Sequence, residues 1–304
     1  MIRYLRNEEI DSKKWDSCIK DAMPSLIYAY SWYLDVVCDN WDALVYGEYE
    51  AVMPIPYTSR FGIKLAIQPP FTQQLGVFSR IALDEKLVHQ FLEAIPSHFR
   101  WVKLNLNFRN RMRDSFQLRS NFVLDLIPDY HTLSQNYASD LGRGIKSSQK
   151  SNCALLEGID TASMMELIDY QNQTKSMGLS EKSISRLSNL IQVGTAKGVM
   201  ISLGMYSPMN HLCSVAIFLR DHGRLYYLIG ASDDTGREYR GMARILDQVI
   251  RKYSGQNITL DFEGSEIPGV ADFFKRFGAS VSPYPVYVRK GMGFLNGFFS
   301  KRLG

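Results

Sequence analysis

The sequence predicts an α/β protein of the mixed-sheet (α+β) kind, built from two tandem copies of one sheet-and-helix unit. Three observations carry this. By hydrophobic period the C-terminal half reads β-α-α-β-β-β-α-β-α-β. The N-terminal half runs through the same plan. A length of 304 residues suits about two domains of roughly 150 residues each.

In the first half a strand at Ile2–Leu5 is followed by helices at 12–22 and 30–38. Residues 43–46 and 51–57 form a hairpin through Gly47-Glu48-Tyr49. Pro54 and Pro56 lie two apart in the second strand. Their missing amide hydrogens fall on one side, so that side is expected to be an open edge there. Strands near 63–67, 101–106 and 122–126 and a helix at 84–94 complete the half. No residue identity between the halves is visible, so the duplication rests on element order. The boundary is expected near 128–134, giving domains 1–130 and 131–290 and an amphipathic tail, 291–304.

The second half opens with a short strand at 153–157 and helices at 161–174 and 180–196. Strands at 199–205, 212–220 and 225–231 follow, the last two joined by Asp221-His222-Gly223 as a tight hairpin. Met242, Ile245, Leu246, Val249, Ile250 and Tyr253 then recur at the spacing of one apolar helix stripe. A strand at 258–262, a helix at 270–277 and a strand at 281–288 close the unit. Three antiparallel strands that pass through a helix into another strand make a mixed sheet with helices on both faces.

Composition is that of an ordinary globular protein, 45% hydrophobic and 22% charged. No apolar run approaches the ~20 residues needed to cross a bilayer. Residues 1–9 lack the apolar core of a secretory signal, so a cytoplasmic location is expected. Cys18, Cys38, Cys153 and Cys213 are far apart, without C-x-x-C spacing, and read as small buried hydrophobes. The five histidines form no metal-ligand spacing, and there is no P-loop, dinucleotide fingerprint or H-E-x-x-H motif. The net charge of +4 is uneven: residues 100–150 carry nine Lys/Arg against four Asp, leaving the rest of the chain at −1. Such a stretch focuses anionic ligands or is simply a solvated basic face.

Asp261-Phe-Glu-Gly-Ser265, followed by Phe274-Lys-Arg-Phe-Gly278, resembles the C-terminal signature of the Fem-type (FemAB-like) branch of the GCN5-related N-acyltransferase (GNAT) superfamily. The resemblance covers nearly the whole length, because Fem-type proteins carry two such units. It implies two tandem GNAT-like domains and transfer of an acyl or aminoacyl group onto an amine of a small or cell-envelope precursor. Acyl-CoA or aminoacyl-tRNA would be the donor substrate, with no tightly bound cofactor and no metal. The implied partners are an anionic small molecule or cell-wall precursor and tRNA. In the coenzyme A enzymes a Q/R-x-x-G-x-G/A loop holds the pyrophosphate. The matching stretch here is Glu238-Tyr-Arg-Gly-Met-Ala243. Gly241 and Ala243 fit, Arg237 and Arg240 can supply charge, and Glu238 sets a negative charge where the family has Gln or Arg.

For chemistry, Glu263 follows a strand end, where it can take the amine proton or instead cap the helix that begins near Pro268. Tyr226, Tyr227, Tyr284 and Tyr287 are expected near the same mouth, and Tyr287 is the candidate general acid beside Glu263. Tyrosine is also common in strands for packing alone. Arg143, Lys146, Ser265 and Lys275 are the candidate substrate-binding residues. The tail places Phe294, Leu295, Phe298 and Phe299 at helical spacing beside Lys301 and Arg302. It can rest on an anionic membrane surface or dock on protein. Two readings follow: a Fem-like N-acyltransferase, which leads, and a module that keeps the fold for binding or assembly without catalysis.

Overall fold

Asp11, Asp84, Asp129 and Ser180 each accept a hydrogen bond from a backbone amide two or three residues ahead, and each starts a helix. These caps satisfy amide groups that a first helical turn leaves unpaired. The structure, a computed structural model, describes residues 1–110, 117–175, 177–264 and 267–290. The tail at 291–304 and Ser265 therefore lie outside the described residues.

The first half contains β1 (Ile2–Leu5), α1 (Ser12–Asp21), α2 (Ser31–Val37), β2 (Asn40–Tyr46), β3 (Ala51–Arg60) and β4 (Ile63–Ile67). It continues through β5 (Phe78–Ser79), α3 (Glu85–Glu93), β6 (Phe99–Asn105), β7 (Gln117–Arg119) and β8 (Phe122–Asp125). Next come α4 (Tyr130–Gln135), α5 (Ser139–Ser148), β9 (Ala154–Glu157), α6 (Thr161–Lys175) and α7 (Glu181–Ala196). Strands β10 (Met200–Tyr206), β11 (Leu212–Asp221) and β12 (Arg224–Ser232) lead into α8 (Asp234–Glu238) and α9 (Gly241–Tyr253). The chain then runs through β13 (Thr259–Asp261), α10 (Pro268–Lys275), β14 (Ser280–Val281) and β15 (Tyr284–Lys290).

Two mixed sheets result. The first has the order β1-β2-β3-β4-β6-β15-β7, with β5 on β3, and the second β14-β8-β13-β12-β11-β10-β9. Each contains one parallel pair, β4 with β6 and β12 with β13, and antiparallel pairs otherwise. The same plan in both halves is the tandem arrangement expected from element order.

The boundary between units differs from expectation. One unit is Met1–Arg119 joined by the stretch that opens at Pro283, and the other is Ser120–Ser282. Strand β8, expected to close the first sheet, pairs instead with β13 and β14 in the second. The single strand expected at 281–288 is two strands, and the longer, β15, lies between β6 and β7 of the first sheet. Each half thus donates its last strand to the other's sheet. The break falls at Ser282-Pro283: the Ser282 amide still bonds to Asn121 O at 2.8 Å. Pro283 has no amide with which to continue that ladder.

Pro54 and Pro56 stand where expected. Strand β2 pairs along 51–57 on one side of β3. On the other, β5 reaches Ala51 and Val52 while β4 begins at Tyr57, so both prolines fall in the gap.

Each sheet has its own core. Leu44, Met53, Phe91, Val102 and Leu104 belong to the first. The stripe Ile245, Leu246, Val249, Ile250 and Tyr253 of α9 is buried in the second, each such side chain contributing about 1.5–3 kcal/mol. The four cysteines are free thiols, three of them buried. Burial pushes Cys18 up to about 11 and Cys213 up to about 12, so neither supplies a thiolate near neutral pH. Among the described residues no helix is long and apolar enough to cross a membrane.

Candidate functional site

The parallel ladder between β12 and β13 ends at Tyr226–Asp261, although β12 runs on to Ser232. Beyond that pair the two strands part, as at the ligand-binding mouths of other open sheets. Here aromatic side chains fill the opening. Phe262 stacks on Phe274 with ring centroids 4.8 Å apart, and Tyr227 meets Phe274 edge-on at 5.9 Å. A side chain at Gly230 would collide with Tyr227 Oη, which explains the glycine there. Burial pushes the Tyr227 hydroxyl far up, which keeps it protonated near neutral pH, and it donates to Met242 Sδ at 3.2 Å.

Asp261 is a structural anchor. Its carboxylate, 1% exposed, accepts from Arg224 Nη1 at 2.7 Å, Asn121 Nδ2 at 2.9 Å and the Glu263 amide at 2.9 Å. That last bond holds Glu263 in a left-handed conformation, φ +57°, at the strand end, half-buried beside Gly264. A non-glycine residue in this region is strained and marks a site worth testing.

The candidate cations fall on elements fastened to α5. Arg143 and Lys146 are exposed on that helix. Arg240, left-handed at the start of α9, lays its guanidinium over Gly144; an added Cβ there would come within 2.7 Å of Nη1. Ser148 Oγ donates to Tyr239 O, and Arg244 Nη1 donates to Ser148 O at 3.0 Å. At the other end Arg276 pairs with Asp140, and the Ala138 amide bonds Arg276 O at 2.8 Å. Lys275, next in α10, is exposed, with Nζ 5.6 Å from the Phe122 ring centroid.

Several sequence assignments change. Tyr284 and Tyr287 belong to β15 in the first unit, whereas Tyr226, Tyr227 and Glu263 belong to the second. Tyr287 pairs with Leu104 and packs on the first core, and burial raises its hydroxyl pKa. Arg237 is already engaged: it donates to Ser232 O and pairs with Asp234 at 2.6 Å. Gly241 has a packing reason, because a side chain there would collide with Ser214 Oγ on β11. Ala243 is buried in the same core. The basic run is also divided, Arg100, Lys103 and Arg109 lying in one unit and Arg143, Lys146 and Lys150 in the other.

The second unit has a cavity of about 450 Å³ elsewhere, at the far end of β12. Glu166, Leu167 and Tyr170 of α6 form one wall; His211, Asp233 and Asp234 are on the other. The Ser207 amide bonds His211 O at 2.8 Å and so shapes the turn that presents this histidine. Asp233 caps α8, its Oδ1 accepting from the Gly236 amide at 2.7 Å. Its Oδ2 lies 2.6 Å from His211 Nε2. Gln171 Oε1 accepts from the Ser232 amide at 2.7 Å, which ties α6 to β12 beside the cavity. Arg237 holds Asp234 below the usual carboxylate range. Glu166 is exposed and has no ion-pair partner among the described residues. A carboxylate-oriented imidazole beside a free carboxylate can hold an amine and move a proton.

Sequence reasoning missed this pair. His211 and Asp233 are 22 residues apart and meet only because β11 and β12 form one hairpin. Counting outward from the Asp221-His-Gly223 turn would have brought them to the same open end.

No family model and no curated protein sequence matches this chain. Solved structures do resemble it. FemX covers 99% of this chain and 100% of its own at a TM-score of 0.66 and 10% identity. L-PGS from Bacillus licheniformis covers 86% and 88% at 0.53 and 10% identity. N-myristoyltransferase from Saccharomyces cerevisiae, with bound myristoyl-CoA, covers 95% and 79% at 0.50 and 9% identity. The chain therefore has the Fem-like fold, two tandem GNAT-like units in a mixed α/β architecture.

Proposed function

We propose that this chain transfers an acyl or aminoacyl group onto an amine carried by a small molecule or an anionic cell-envelope precursor. The observation that carries the reading is the match of both tandem units to FemX over the full length of both chains. N-myristoyltransferase, which shares the fold, was solved with an acyl-CoA bound. In this reading Arg143, Lys146, Arg240 and Lys275 attract the anionic partner from elements joined to α5, and Glu263 orients the acceptor or takes its proton. Ser265, next to Gly264 in the sequence, belongs to the same proposal.

For the donor, Glu238 and the engaged Arg237 favour an aminoacyl ester on tRNA over coenzyme A. A negative charge just before a helix start opposes a bound pyrophosphate. The test is transfer by the purified full chain from aminoacyl-tRNA or acyl-CoA to amine acceptors, followed by mass spectrometry. The expected result is a new amide and released tRNA, with acetyl-CoA binding weakly. A submicromolar dissociation constant for acetyl-CoA in titration calorimetry would overturn the donor assignment. The second reading, a binding or assembly module without catalysis, is favoured by the aromatic filling of the β12–β13 opening, and absence of transfer from either donor would leave it standing.

A further inference from the structure

We infer that the cavity between α6 and the β12–α8 junction is an amine-binding site, with Glu166 holding the ammonium group and His211 acting as proton acceptor. The proton-acceptor role rests on the acyl-transfer reading and gives the amine proton to His211 in place of Glu263; the binding site rests on neither. Four features support it.

The first is shape. A volume of about 450 Å³ falls within the ordinary range for small-molecule sites, about 300–1,000 Å³. It has room for the amine-bearing end of an amino sugar or a lysyl side chain.

The second is charge. Of the carboxylates on the wall, Asp234 is bound by Arg237, and Asp233 is held by His211 and the Gly236 amide. Glu166, across from them on α6, is left to a ligand. A carboxylate with no cation of its own, facing a concave surface, attracts an organic cation and repels an anion. Among the described residues no three His, Cys, Asp or Glu side chains stand close enough to hold a metal ion. A divalent cation therefore does not fit the cavity as an amine does.

The third is the histidine itself. Asp233 faces Nε2, so the neutral ring carries its proton there and leaves Nδ1 with a lone pair. The titratable groups around the ring are Glu166 and Tyr170 from α6 and Asp233 and Asp234 from the start of α8. Arg237 and Lys175 act on Asp234 behind them.

The fourth is rigidity. The Gln171–Ser232 bond and the Asp233 cap fix both walls. Leu167 and the exposed Tyr170 offer an apolar and an aromatic surface to the stem of the amine.

The reaction balances without any other participant than an acyl ester or thioester. The ammonium held by Glu166 first loses one proton to solvent; the neutral amine nitrogen then attacks the acyl carbonyl carbon, a carbon–nitrogen bond forms, and the carbon–oxygen or carbon–sulfur bond to the carrier breaks. The proton leaving nitrogen passes to His211 and from there to the departing alkoxide or thiolate. Asp233 is a positioning residue: it sets the tautomer of His211 and does not touch the amine.

The test uses the full chain with ¹³C,¹⁵N-labelled histidine, the His211 signals being assigned by their loss in His211→Gln. The probe is 1,5-diaminopentane, with 1,5-pentanediol as its neutral counterpart. The diamine should shift His211 saturably, the diol should not, and His89, His98, His131 and His222 should stay in place. Glu166→Gln, on an exposed helix face, should keep those four signals and weaken the diamine by roughly tenfold, the size expected for loss of a charged hydrogen bond. Asp233→Asn should move the ¹⁵N shifts of His211 toward the other tautomer, which a merely structural role would not do. Equal shifts with diol and diamine, or an unchanged titration in Glu166→Gln, overturn the site. Diamine binding at His211 without acylation by either donor class sinks the transfer reading and the proton-acceptor role, and keeps the binding site. Acylation of the diamine with His211 unmoved does the reverse.

Discussion

Arg224 reaches Asp261 across the parallel pair of the second sheet, with Nη1 2.7 Å from Oδ2 and the carboxylate 1% exposed. Asn121, from the turn before β8, bonds the other oxygen at 2.9 Å. One carboxylate therefore holds β12, β13 and the approach to the exchanged strand β8. Removing one partner of a buried pair costs more than the pair contributes, because the remaining charge is left unpaired. Asp261→Ala is expected to destabilise the chain by about 3 kcal/mol, read as a lower urea midpoint. A change within about 0.5 kcal/mol, the ordinary surface value, would show that the pair is not an anchor.

Gly241 separates a packing role from a ligand role. A side chain there collides with Ser214 Oγ, so α9 must shift away from β11. Gly241→Ala should lower stability by about 1–3 kcal/mol with no ligand present. Unchanged unfolding together with weaker donor binding would return this glycine to the phosphate loop.

Asp221 provides a pH test. Burial pushes its carboxyl above the ordinary range, with His222 partly opposing, and Oδ2 has no hydrogen-bond partner among the described residues. A carboxyl that titrates higher in the folded chain than in the unfolded one stabilises below the unfolded value. That contribution is lost as pH rises through the folded value. Asp221→Asn is therefore expected to raise Tm at about pH 7 and to make no difference below about pH 4. At about 1 kcal/mol the rise would be roughly 2–4 °C. A lower Tm at neutral pH would mean that the His222 contact at 2.7 Å outweighs the burial.

Arg143 and Lys146 test the anionic partner. Replacing both by Ala should weaken binding of a fluorescent tRNA 3′-end oligonucleotide and flatten its salt dependence by about 0.7 in log–log slope for each cation lost. Anisotropy titrations across salt would show it. An unchanged slope would place these residues on a solvated face.

Most elements were legible in the sequence because their causes are local. The stripe of α9 follows from residues three and four apart, and the opening strand 2–5 and the hairpin turn at 221–223 matched to within a residue or so. Pro54 and Pro56 even reported which side of β3 lacks a partner, because a missing amide is a property of the residue itself. Of the candidate site, the sequence named Arg143, Lys146 and Arg240, and the fold lays Arg240 over Gly144 of α5. The partners of Arg237 and Tyr287 are set by folding.

By itself, then, the sequence determined the order and type of most elements and the doubled plan, since period and capping act within a few residues. Tertiary structure alone decided that β8 and β15 change sheets, that Tyr227, Phe262 and Phe274 fill the parting of β12 and β13, and that His211 meets Asp233. Each of these depends on pairing between distant segments. A strand's own residues state that it will pair, but the partner is chosen by which neighbouring edge is open when the whole sheet assembles.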